Sequence, residues 1–223
     1  MSLLKQFLRF LKKPELSTPL VLSFGQSVLL LVKSIPIFFL FVLVCTIFFV
    51  PLSFFDLVPK APSRSLADAG KLIVFAPLLE EFFFRLPLRN FFRNIFVTLS
   101  LLFYALTKSF FGIPLTIGLS LIIIVLPHIL GFISRAEQKV NSQIKRYYPF
   151  VFYLIALSFG FLHITNFEHL STAQYFVSPI IILYQILLGL YAGFLRVKFK
   201  WGIIYSILVH AMFNAIPVLV KLL

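Results

Sequence analysis

Apolar stretches long enough to cross a hydrocarbon core of roughly 30 Å recur along this entire chain. No polar segment between them is long enough to fold as a separate soluble domain. That pattern leaves few architectures open, because backbone polar groups surrounded by lipid must be paired inside the spanning segments themselves. Composition points the same way: 61% of the 223 residues are hydrophobic, 12% are charged and the mean hydropathy is +1.04, far from the range of soluble globular domains. The expected fold class is all-α, a polytopic transmembrane helical bundle in a cell membrane.

The spans read as residues 30–52, 71–88, 95–111, 113–133, 149–168, 176–195 and 201–220. Ser109, Gly112 and Pro114 put a tight break between the third and fourth, either a turn joining two helices or a kink within one. Basic residues set the orientation. Lys5, Arg9, Lys12 and Lys13 precede the first span, and Arg89 and Arg93 follow the second; Arg135, Lys139, Lys145 and Arg146 fill one polar loop, and Arg196, Lys198 and Lys200 another. Lys60, Arg64, Lys108 and Lys221 are left for the opposite side, where Asp56, Pro59, Pro62 and Asp68 mark a loop. Because cytoplasmic loops collect Lys and Arg, the split predicts a cytoplasmic N-terminus and about seven spans. A fusion of the third and fourth spans would invert everything after them.

The membrane domain is expected over residues 27–223, preceded by a basic amphipathic segment over 1–26. There Leu4, Phe7, Leu8 and Leu11 fall on one helical face and Lys5, Arg9, Lys12 and Lys13 on another, a pattern suited to a helix lying on an anionic membrane surface. The run over 20–32 lacks a small-residue cleavage site and continues into another apolar stretch, which argues against a secretory signal. The net charge of +13 is accounted for by short, dispersed clusters tied to span ends, so nucleic acid is not an expected partner. Cys45 is the single cysteine and reads as a small core residue.

Only seven residues are acidic, and two of them, Glu80 and Glu81, stand side by side in the apolar run 71–84. A carboxylate at membrane depth costs several kcal/mol unless compensated, so such a pair marks a functional site by default. Glu81 and Arg85 are four residues apart and share a helical face, the spacing of an ion pair, while Glu80 is rotated away by about 100° and must find its partner on another helix. Phe159 with His163, and His210 with Asn214, repeat the four-residue spacing on two further spans. His128 reads as structural, Phe159 as packing, and Glu168 with His169 as an exposed connection.

These three patterns, in this order on separate apolar segments, resemble the signature of the CAAX protease and bacteriocin-processing (CPBP, Abi) family of intramembrane proteases. Glu80, Glu81 and Arg85 in the string EEFFFR match its Glu-Glu-x-x-x-Arg motif, Phe159 and His163 in FGFLH its Phe-x-x-x-His motif, and His210 and Asn214 in HAMFN its His-x-x-x-Asn motif. The likeness covers roughly residues 71–215, with motif helices near 71–88, 149–168 and 201–220, and departs at Leu86, where a Gly is common. It implies peptide-bond hydrolysis by a water that Glu80 and His163 activate, with His210 and Asn214 as donors to the tetrahedral oxyanion and Glu81 with Arg85 as a supporting ion pair. The implied substrate is a peptide or protein, which is membrane-anchored in some relatives.

Other readings stay open at this level. Glu80, His163 and His210 also form a three-ligand set for a catalytic zinc, although no His-Glu-x-x-His pair places two ligands on one helix. With the glutamate mechanism no cofactor is required. Glu81 and Arg85 are equally readable as a purely structural pair. A non-catalytic scaffold or self-immunity protein would need no base, and a proton-coupled transporter would be expected to show paired half-repeats, of which none is visible.

Overall fold

Capping and proline chemistry decide where the helices begin and break. A computed structural model of the chain describes residues 1–59, 68–129, 133–167 and 169–220, with side chains for the same residues apart from 111, 126–136 and 219–220. Lys60, Pro62, Arg64, Glu168, Lys221 and the side chains of His128 and Arg135 lie outside the described residues. Among those described the chain is all-helical, with one isolated parallel bridge between Leu20 and Phe199.

The helices are α1 (Leu3–Lys12), α2 (Phe24–Phe54), α3 (Ala76–Arg85), α4 (Phe91–Phe111), α5 (Ile113–Ile129), α6 (Ile133–Arg146), α7 (Tyr148–Leu162), α8 (Thr172–Phe176), α9 (Ser178–Ile181), α10 (Leu183–Lys198) and α11 (Gly202–Val220). Helix α2 starts earlier than the apolar run predicts. Ser23 and Gln26 form a reciprocal capping box, each side chain accepting the other's backbone N–H, and this nucleates the helix in front of the apolar stretch. Phe24–Phe54 and Tyr148–Asn166 are long and apolar enough to cross a membrane; Ile113–Val125 and Gly202–Val218 are apolar but shorter. The expected sixth span is broken, because Pro179 in the first turn of α9 supplies no N–H to continue the helix from α8.

Gly112 settles the turn-or-kink question. It sits between α4 and α5 with φ of +72°, a conformation glycine adopts without strain, and reverses the chain so that Ser100 Oγ donates to the carbonyl of Ser120 at 2.8 Å. Two separate antiparallel helices result.

One expectation requires correction. The basic stretch read as a polar loop around Lys139, Lys145 and Arg146 is the helix α6, tied to α4 by the Arg93–Glu137 ion pair at 2.9 Å and by Asn141, whose Oδ1 accepts from the Phe92 N–H. Its charge disguised an amphipathic repeat. The apolar face of α1 packs in part onto the bundle: Phe7 is buried and packs edge-on against Tyr191 and at a tilt against Phe41 and Phe194, while Leu8 stays half exposed. The aromatic partners that the bundle offers account for the burial of Phe7.

The basic segments meet at one end of the bundle. Arg89 donates to the carbonyls of Ser17 and Val197, the backbone of Leu20 pairs with Lys198 and Lys200, and the Tyr148 hydroxyl donates to the carbonyl of Leu88. At the centre lies α10, buried from Tyr191 to Val197. It approaches α7 closely because both carry glycine on the facing sides. A Cβ on Gly160 would stand 2.4 Å from Ile186 Cγ1 and 3.3 Å from that residue's backbone, and one on Gly189 would stand 3.0 Å from both the Ala156 carbonyl oxygen and the Phe159 ring. Gly160→Val is therefore expected to force the two helices apart and to destabilise the fold by about 1–3 kcal/mol, the usual cost of overpacking, read as a lower thermal midpoint in detergent.

Candidate active site

Two prolines bracket α3, the helix that carries the paired carboxylates, and each leaves a backbone carbonyl for a distant side chain to satisfy. A π-helical turn, Lys71–Phe75, leads into α3, and in its register the partner of the Leu72 carbonyl would be the nitrogen of Pro77, which has no hydrogen. Asn214 Nδ2 on α11 donates to that carbonyl at 2.9 Å. At the other end Pro87 cannot donate to the Phe83 carbonyl, and Thr98 Oγ1 on α4 does so at 3.0 Å. Arg196 adds a third cap, its Nε donating to the Arg85 carbonyl at 3.1 Å. That arginine was read only as part of a topology cluster, yet it is nearly buried.

Held in this way, α3 points its two carboxylates in different directions. Glu81 is fully buried, whereas the Glu80 side chain keeps 27% of its exposure and faces a cavity. Glu81 Oε2 lies 3.4 Å from Arg85 Nε, and Glu81 Oε1 bonds His210 Nδ1 at 2.9 Å. The Arg85 guanidinium also sits over the ring of Phe159, 4.2 Å from its centroid. Phe159 is thus more than packing. Its ring meets His163 and His210 edge-on, with centroids 4.7 and 5.7 Å apart, and its carbonyl lies 2.8 Å from His163 Nδ1.

Those partners dictate the tautomers of both imidazoles. A carbonyl oxygen only accepts, so His163 Nδ1 carries the proton and Nε2 faces Glu80 Oε2 at 3.6 Å. The Arg85-paired Glu81 carboxylate likewise only accepts, so His210 Nδ1 is protonated and its Nε2 faces Glu80 Oε2 at 3.7 Å. With both rings neutral, three lone pairs from three helical segments converge on one point. His210 can donate from Nε2 only when it carries a second proton. Asn214 has one amide hydrogen committed to Leu72 and one left.

Glu80, His163, His210 and Asn214 all line one cavity of about 360 Å³, together with Asn166, Tyr184 and Gln185. His163 reaches it from the 3₁₀ turn His163–Asn166 that ends α7, so its place at the end of the span does not keep it from Glu80. His169 is exposed on the following loop. Among the described residues no group of three His, Cys, Asp or Glu side chains has the geometry to hold a metal ion. Asn214→Ala would leave the Leu72 carbonyl without its donor; the expected cost is about 1–3 kcal/mol, measured as a lower unfolding midpoint.

No protein-family model, curated protein or solved structure matches this chain. The fold and the site define an all-helical protein with a carboxylate and two imidazoles gathered in a lined cavity.

Proposed function

We propose that this protein is an intramembrane endopeptidase of the CAAX protease type. The observation that carries the reading is the meeting of Glu80 Oε2 with His163 Nε2 and His210 Nε2, at 3.6 and 3.7 Å, on the wall of one cavity. Three acceptors facing one point favour a proton-donating guest, and water is the guest a hydrolase needs. Glu80 takes a proton from that water while His163 Nε2 accepts its second hydrogen bond. The water oxygen then bonds to the substrate carbonyl carbon. The oxyanion so formed is stabilised by the remaining Asn214 N–H, and by His210 where a proton taken from solvent occupies its Nε2. Collapse breaks the C–N bond, and the proton held on Glu80 passes to the leaving amine.

The setting is a cell membrane crossed about seven times from a cytoplasmic N-terminus, in accord with the gathering of basic segments at one end. The long α2 supports it, since Phe39, Leu43, Ile47 and Phe48 form an apolar face left uncovered by the bundle. Peptides or proteins, soluble or membrane-anchored, are the partners.

The test is cleavage of a peptide library by the purified protein, with Glu80→Gln and His163→Ala alongside. Cleavage by the wild type and its loss in both variants is expected; equal cleavage by all three removes the assigned roles, and cleavage by none leaves a scaffold or self-immunity protein. Activity is expected to survive chelation, whereas loss restored by zinc alone would hand Glu80, His163 and His210 to the zinc version of the same protease.

A further inference from the structure

The ends of α1 and α10 enclose a second cavity, of about 330 Å³, at the basic end of the bundle. Arg9 in the last turn of α1, Lys13 at its C-cap and Lys198, the last residue of α10, all line it. Among the described residues none of the three takes part in an ion pair or a side-chain hydrogen bond. Ring packing fixes the wall they share. Phe10 and Phe194 line the same cavity, and Phe10 meets Phe152 edge-on and Phe194 at a tilt, with centroids 5.0 and 5.5 Å apart.

Charge decides what such a cavity holds. Arg9, Lys13 and Lys198 are opposed there by Glu15, which also lines the cavity, and by the negative ends of α1 and α10, worth about half a charge each. The balance is about one positive charge. Like charges gathered without a counter-ion repel, so the walls favour a guest with a single negative charge. A third cavity, of about 320 Å³, adjoins the second at Gln6, which lines both. Leu22, Leu29, Leu30 and Phe199 make its wall largely apolar, with Lys33 as the charged residue among those described. Leu29 is half exposed, which leaves it apolar surface to cover. A charged compartment beside an apolar one suits an amphiphile, whereas a free anion would use only the first.

We propose that the ends of α1 and α10 bind one anionic phospholipid, with its phosphodiester among Arg9, Lys13 and Lys198 and an acyl chain along Leu22, Leu29 and Leu30. A phosphodiester carries the single negative charge that the balance calls for, and a zwitterionic headgroup adds a cation that the same walls repel. The bound lipid ties α1 to α10 two residues beyond Arg196, whose guanidinium caps α3. The site is independent of the protease reading and shares only its membrane setting.

The experiment reads ligand-induced stabilisation. The full chain in a non-ionic detergent is melted against rising concentrations of dioctanoyl phosphatidylglycerol, of dioctanoyl phosphatidylcholine and of inorganic phosphate. Phosphatidylglycerol is expected to raise the midpoint in a saturable way, and the other two to leave it nearly unmoved over the same range. Arg9→Gln, Lys13→Gln and Lys198→Gln are each expected to raise the half-saturating concentration by about 5-fold, the worth of one basic residue at an anionic lipid surface. Lys5→Gln and Lys12→Gln, on the exposed side of α1, are expected to leave it unchanged. Leu29→Asn tests the chain compartment and is expected to weaken phosphatidylglycerol by a similar factor. Midpoints without lipid check the folding of every variant. Equal shifts by the two lipids, no shift by either, or equal losses in all five charge variants overturns the site. Inorganic phosphate matching phosphatidylglycerol, or Leu29→Asn binding it as the wild type does, shows an anion site without a lipid chain and overturns the proposal as well.

Discussion

Glu80→Gln is expected to lower kcat by about 10²–10⁴-fold, the range supplied by a general base, and to leave the thermal midpoint nearly unchanged. The amide keeps the shape of the carboxylate but cannot take a proton. Glu80 reaches solvent-accessible space and makes no ion pair with Arg85 in the buried layer, so little of the fold depends on its charge. Single-turnover cleavage of a library-selected peptide, with circular-dichroism melts of both proteins, separates the two effects. A variant that melts early and cleaves in proportion to its folded fraction would make Glu80 a structural residue.

Arg85→Met is expected to do the opposite. Removing the guanidinium leaves Glu81 as a fully buried carboxylate with His210 and the Ser206 hydroxyl beside it but no permanent counter-charge, and breaking a buried pair from one side costs about 3–5 kcal/mol. The Phe159 ring would lose its cation and His210 the companion that keeps Glu81 an acceptor. The double change Glu81→Gln with Arg85→Met is expected to recover much of the stability, because no unpaired charge remains. Activity need not return with it, since a glutamine amide can donate as well as accept and no longer fixes which nitrogen of His210 carries the proton. Denaturant or thermal unfolding of the two single variants and the double variant makes the cycle; additive losses would show that Glu81 and Arg85 do not act as a pair.

Much of the site was legible because helical geometry is local. Spacings of four residues put Glu81 with Arg85, Phe159 with His163 and His210 with Asn214 on common faces before any packing is known. The turn at Gly112 was legible as a break but not as a reversal, since that choice depends on whether α5 packs back onto α4. The helix α6 was hidden by its charge, and the burial of Phe7 by the absence from any one-dimensional pattern of the aromatic rings it would meet.

The amino-acid sequence by itself determined the helical class and the pairs that share a face, because apolar content and a period of 3.6 residues act within one segment. Only the tertiary structure decided that Glu80 faces the cavity while Glu81 is sealed beneath it, that both histidines present Nε2, and that Asn214 caps Leu72. Those outcomes depend on which distant group each side chain meets. Glycines 160 and 189 and the proline-orphaned carbonyls around α3 settle that, because only contact between separate helices can satisfy them.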